Sequence, residues 1–83
     1  METVTKVKVM GPYTLELTFS DDFRRKVDLE SELYGEVFEP LRDPAFFAQA
    51  QLDHELGTVV WPDGADFSSE FLYHDAKSPR KAA

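Results

Sequence analysis

Between Lys6 and Leu29 the apolar side chains recur at every second position, and this period of two is the strongest limit on what the chain can fold into. Val7 and Val9 alternate with Lys6 and Lys8. After Gly11-Pro12 the run Tyr13, Leu15, Leu17, Phe19 alternates with Thr14, Glu16 and Thr18, and after Ser20-Asp21-Asp22 the run Phe23, Arg25, Val27, Leu29 alternates with Arg24, Lys26 and Asp28. Successive side chains of a strand point to opposite faces, so each run describes a half-buried strand. The two turn clusters join them into a three-stranded antiparallel meander. Arg25 is the one charged member of the inward set; it is expected to snorkel at the sheet edge or to pair with an acid, since a bare buried charge is costly.

Beyond Leu29 the period lengthens. Leu29 and Leu33 are four apart, Gly35 suits a left-handed turn, and Phe38 and Leu41 resume at a spacing of three, which describes short helical turns. Asp43-Pro44 is a helix-start signal, because the Asp side chain accepts from free amides and Pro fixes φ at the first helical position. The helix is expected over roughly Pro44 to Gln49, with at least one of Phe46 and Phe47 on the sheet. Leu52 to Trp61 describes a second hairpin with its turn near Glu55 to Gly57, and Pro62-Asp63-Gly64 stops its last strand. Asp66 or Ser68 then caps a short C-terminal helix carrying Phe67, Phe71, Leu72 and Tyr73. The sum is an α+β fold in two layers, a mostly antiparallel sheet with small helices on one side. At 83 residues there is room for one core, assigned to residues 1–75, with residues 76–83 as a flexible basic tail holding Lys77, Arg80 and Lys81.

The 42% apolar content and eleven aromatics argue against wholesale disorder. The absence of cysteine removes disulfides, thiolate metal sites and cysteine nucleophiles. Apolar runs are too short for a membrane span or a signal peptide, so a cytoplasmic location is expected. So small a core is only modestly stable alone, which makes self-association as a dimer a live expectation.

Net charge is −7, but it is unevenly spread. Residues 1–27 carry +1, residues 76–83 carry +3, and residues 28–75 set twelve acids against the single cation Arg42, giving −11. A segment of that sign repels phosphate and favours a basic protein partner over nucleic acid. Within it Glu30, Glu32, Glu36, Glu39 and Asp43 interleave with Leu33, Tyr34, Val37 and Phe38, more apolar groups than one small helical turn hides. Glu32, Tyr34, Glu36 and Glu39 are the candidate partner-binding residues, with Tyr34 as the anchor. The plainer alternative is a solubilising acidic surface with Tyr34 covering the sheet edge. Lys6, Lys8, Arg24 and Lys26, which the alternation can place on one outer sheet face, and the short Lys77 to Lys81 tail are where nucleic acid could touch, against the overall charge.

Chemistry has fewer footholds. Asp63 and Asp66 flank a Gly turn and His54 lies in the preceding hairpin, which allows a small enzyme or a metal-binding site near Asp63, Asp66 and His54. Against it, Pro62 and Gly64 serve to build the turn, Trp61 to fill the core and Asp66 to cap a helix. His54 and His74, twenty apart, lack zinc spacing; no serine sits in a nucleophile elbow; and the four glycines are isolated. No cofactor is expected.

The strand pair holding Tyr13, Leu15 and Phe19, the Val27-Asp28-Leu29 ending, Phe46, and the block Gly57-Thr58-Val59-Val60-Trp61-Pro62-Asp63-Gly64-Ala65-Asp66 with the closing Leu72-Tyr73 resemble the bacterial domain of unknown function family 2442, over about Val4 to Tyr73. Trp61, Pro62, Asp63, Gly64, Asp66 and Tyr73 carry the motif. The chain departs from the family at Ser20-Asp21-Asp22, where members often have Asp-Gly. The resemblance implies a small α+β domain, alone or joined to a C-terminal helix-turn-helix, often encoded beside another small protein, and without established catalytic activity. The expectation is therefore a non-enzymatic protein-interaction or regulatory module, antitoxin-like in one version, and any DNA-binding role of the fused relatives is not expected here.

Overall fold

The computed structural model describes residues 2–79. Strands β1 (Val4–Gly11), β2 (Thr14–Phe19) and β3 (Arg24–Asp28) form an antiparallel sheet in that order. Single turns of 3-10 helix follow at Glu30–Glu32 and Glu39–Arg42, then helix α1 (Pro44–Phe47), the hairpin β4 (Gln51–Asp53) and β5 (Thr58–Val60), and helix α2 (Ser69–His74). The fold is α+β, as the two periods in the sequence require. Leu15, Leu17, Phe19 and Val27 of the inner sheet face are fully buried against Leu29, Leu33, Leu41, Phe47, Val59, Trp61, Phe67 and Leu72 of the second layer.

Two bulges tune β1. The register with β2 shifts between Val4 and Lys6 and again between Val9 and Gly11, so that Thr5 and Met10 are extra residues. A bulge moves the alternation by one place, which is how Val4 is buried on the same side as Val7 and Val9 although it is an odd number of residues away.

Three expectations change on contact with the structure. Tyr13 is not in β2; it sits in the two-residue connection after β1 with φ 63°. There its ring packs edge-on against Phe47 at 5.7 Å and its hydroxyl donates to the Arg42 carbonyl, tying the second layer to the sheet. Phe23 shares the inward side but is 44% exposed, because it lies at the mouth of the β2–β3 hairpin where the core ends; it stacks on Phe19 at 6.1 Å and tilts against Tyr73 at 5.0 Å. Arg25 is half-buried at the sheet edge and pairs with no acid among the described residues. Its guanidinium donates to the carbonyls of Leu72 (3.2 Å), Tyr73 (3.0 Å) and Ala76 (2.6 Å) and to Ser78 Oγ (3.2 Å), supplying donors to the open carbonyls at the end of α2.

That clasp moves the end of the packed region. Ala76 is 4% exposed and the Asp28 amide donates to the Lys77 carbonyl at 2.7 Å in an antiparallel bridge, so residues 76–78 are held on β3 where the sequence suggested a flexible tail. Arg80 and Lys81 of that tail lie outside the described residues. At the helix starts, Asp43 Oδ1 accepts from the Ala45 amide at 3.0 Å as expected, and Ser68, not Asp66, caps α2 by accepting from the Phe71 amide at 3.1 Å. α1 ends at Phe47, and turn-type bonds carry the chain on to Ala50.

Candidate functional site

The acidic segment between β3 and α1 is held from beneath. Leu29, Leu33 and Leu41 are buried and Phe38 is half-buried, so the backbone is pinned at intervals of three to five residues and the positions between, half-buried Glu32 apart, face out. Asp28 Oδ1 accepts from the Glu30 amide at 3.0 Å and starts the first 3-10 turn. Gly35, at φ 88°, reverses the chain, and its carbonyl accepts from the amides of Phe38 (3.2 Å) and Glu39 (2.9 Å). Pro40 stands at the start of the second turn.

This path leaves Tyr34 72% exposed and Val37 50% exposed. Glu36, Glu39, Pro40 and Asp43 line an open groove beside them. The four candidate residues are therefore not one cluster. Glu36 and Glu39 meet at the groove with Asp43, Tyr34 stands clear of the surface, and Glu32 is half-buried in the earlier turn before Gly35. Pro40 is a groove residue that the sequence did not single out; nothing in its spacing separates it from a helix-start proline. Among the described residues the one ion pair is Arg24 to Glu16, at 3.4 Å on the sheet, so no described cation pairs with these carboxylates. Arg42 is exposed and is tied to the preceding turn, its Nη1 donating to the Leu33 carbonyl at 3.4 Å.

The Trp61 to Asp66 block is a turn whose every residue has a structural task. The Gly64 amide donates to the Trp61 carbonyl (3.0 Å) and the Trp61 amide to the Ala65 carbonyl (2.9 Å), with Gly64 at φ 89°. This is a three-residue loop in which Pro62-Asp63 form the bend and Gly64 takes the left-handed position. Asp63 Oδ1 accepts from the Ala65 amide at 3.1 Å, Trp61 is buried with Nε1 donating to the Phe47 carbonyl at 2.9 Å, and exposed Asp66 bridges back to Val60. Tyr73 Oη, from the same motif, donates to Asp21 Oδ2 at 2.6 Å.

His54 sits in the β4–β5 turn, at the opposite end of β5 from Asp63 and Asp66. Among the described residues no three His, Asp or Glu side chains gather in a way that could hold a metal ion. The Asp53 carboxylate beside His54 is used within the turn, accepting from the amides of Glu55 (2.9 Å) and Leu56 (3.0 Å).

A second hollow, lined by Glu2, Glu70, Tyr73 and His74, joins residues from both ends of the chain. No local pattern in the sequence announces it, because it depends on contacts between distant segments. Beside it the hydrogen bond from Tyr73, and then that from the Phe23 amide, hold the Asp21 carboxyl below its ordinary pKa, while the same bond to Asp21 raises the Tyr73 phenol.

Among the described residues no helix is long and apolar enough to cross a membrane. No curated protein and no solved structure matches the chain. The family model for "Protein of unknown function (DUF2442)" matches residues 4–78, from the first residue of β1 to the Ser78 that Arg25 holds. With all five strands, both helices and the Trp61 to Asp66 turn inside that span, the chain belongs to the DUF2442 family.

Proposed function

We propose that the protein is a non-enzymatic interaction module of the bacterial cytoplasm that holds a basic protein partner on the surface around Tyr34, Glu36 and Glu39, in the manner of an antitoxin or a regulator of a neighbouring small protein. The observation that carries this reading is the pairing of two outward apolar side chains, Tyr34 and Val37, with a groove of carboxylates that have no ion-pair partner among the described residues. An exposed aromatic anchor preceding a groove of carboxylates suits a cationic surface, which gains steering from the charge and affinity from burying the ring. Glu32 contributes charge from the flank.

The test is affinity capture of the tagged protein from its own host lysate in mild salt, read by mass spectrometry beside a Glu32→Lys, Glu36→Lys, Glu39→Lys variant and Tyr34→Ala. A small basic protein retained by the wild type, lost with the triple reversal and weakened by salt supports the reading. An identical set of captured proteins for wild type and triple reversal sinks it.

A further inference from the structure

The outer face of the three-stranded sheet carries the opposite charge to the rest of the molecule. The register places Lys8, Glu16 and Lys26 in one cross-strand row and Lys6, Thr18 and Arg24 in the next. Four cations thus surround one carboxylate, about 10 Å apart across the strands and about 7 Å along them. Arg24 already contacts Glu16 at 3.4 Å, which leaves the three lysines without an acidic partner among the described residues. A shallow groove runs over this face, lined by Lys6, Lys8, Glu16, Thr18, Arg24 and the side of Leu52.

We infer that this face docks the acidic segment of a second copy of the chain, with Glu36, Glu39 and Asp43 of one copy set against Lys6, Lys8 and Lys26 of the next. The charges match, three carboxylates without an ion-pair partner among the described residues against a net of three positive charges. The apolar parts match as well, since exposed Tyr34 and Val37 flank the acids and Leu52 flanks the lysines. A long polyanion fits less well. Glu16 sits in the middle of the cations, no aromatic side chain on the face offers a base a stacking platform, and the chain as a whole carries −7.

The acidic segment packs Leu33 and Leu41 onto the inner side of the sheet, so the two surfaces look in opposite directions and the contact is head to tail. Each pair then retains one free surface of each sign. The inference rests on the docking role of the acidic segment proposed above, and it adds a consequence: a second copy and a basic partner compete for the same carboxylates.

Sedimentation velocity tests it with two charge-neutral variants, Lys6→Gln/Lys8→Gln and Glu36→Gln/Glu39→Gln, all at exposed positions. At about 0.5 mM protein in about 20 mM salt the wild type is expected well above its 9.5 kDa monomer mass, falling back to it in about 0.5 M salt. Each variant alone stays monomeric. An equimolar mixture regains association but stops at twice the monomer mass, because only one copy keeps each surface. A monomeric wild type in low salt overturns the inference, as does association that survives both variants. Binding of a single-stranded oligonucleotide that Lys6→Gln/Lys8→Gln abolishes, with no self-association, also overturns it and gives the face to phosphate. A monomer that still captures a basic partner through Glu36 and Glu39 removes the self-docking and leaves the proposed function standing.

Discussion

Asp22 occupies in the β2–β3 turn the place that Gly64 occupies in the Trp61 to Ala65 turn. The Asp22 amide donates to the Phe19 carbonyl (2.9 Å) and the Phe19 amide to the Phe23 carbonyl (2.8 Å), repeating the bonds around Gly64, and both residues have left-handed φ, 70° and 89°. Even the side-chain brace repeats, Asp21 Oδ1 accepting from the Phe23 amide as Asp63 Oδ1 does from Ala65. An L side chain is strained there and glycine is not. Asp22→Gly is expected to stabilise the protein by up to about 1 kcal/mol, and Gly64→Ala to destabilise it by about 1 kcal/mol or more. Urea unfolding midpoints check both.

Arg25→Met fills the same space but leaves the carbonyls of Leu72, Tyr73 and Ala76 without their donor. A loss of about 2 to 3 kcal/mol is expected, because charge-assisted bonds to part-buried acceptors are involved, and Arg25→Lys should recover only part of it since one ammonium cannot span the set. Amide exchange should show residues 76–78 losing protection first in either variant.

The Tyr73 to Asp21 bond gives stability a defined pH window. Asp21 is held below its unfolded pKa, so its contribution is complete above the ordinary carboxylate range near pH 4 and is lost as pH falls through the lowered folded value. Tyr73 is raised, so its contribution is complete below about pH 10 and is lost as pH rises through the folded value. Carbon-detected NMR titration of wild type and Tyr73→Phe checks the acid side: the Asp21 pKa should move up in the variant. An unchanged Asp21 value would show that the bond does not set it.

Trp61→Phe removes the donor to the Phe47 carbonyl and part of a ring packed 5.5 Å from Phe47 and 5.9 Å from Phe67. The Phe47 carbonyl keeps the Ala50 amide (3.2 Å) as a donor, so losing one of two bonds and leaving a small void should cost about 1 to 3 kcal/mol. Thermal unfolding followed by circular dichroism reads the change, the single tryptophan being gone from the variant.

Tyr34→Ala and Val37→Ser should leave stability within about 0.5 kcal/mol, because both side chains already face solvent. If Tyr34 is the anchor for a partner, its truncation lowers affinity by about five- to a hundredfold with the fold intact. Parallel unfolding and binding measurements separate the two effects.

The meander was legible because burial on one face forces the period of two through β2 and β3, and Asp43-Pro44 was legible because a helix start needs those residue types locally. What stayed hidden depends on distant segments. The partners of Arg25 lie 47 to 53 residues away, the Tyr73 partner of Asp21 lies 52 residues away, and the β1 bulge that buries Val4 is visible only against β2. At the candidate site, the acids and Tyr34 could be read from composition and interleaving. Their separation by the Gly35 reversal, and the addition of Pro40 to the groove, could not.

The Arg25 clasp also sets when the protein can finish folding. The sheet is complete in sequence by Asp28, yet its one inward charge finds acceptors only in residues 72–78. A nascent chain halted before Leu72 exposes the meander to the ribosome surface with that guanidinium unanswered and the inner face open. The fold is therefore sealed by residues 72–78, and no cooperative native state exists until they have been synthesised.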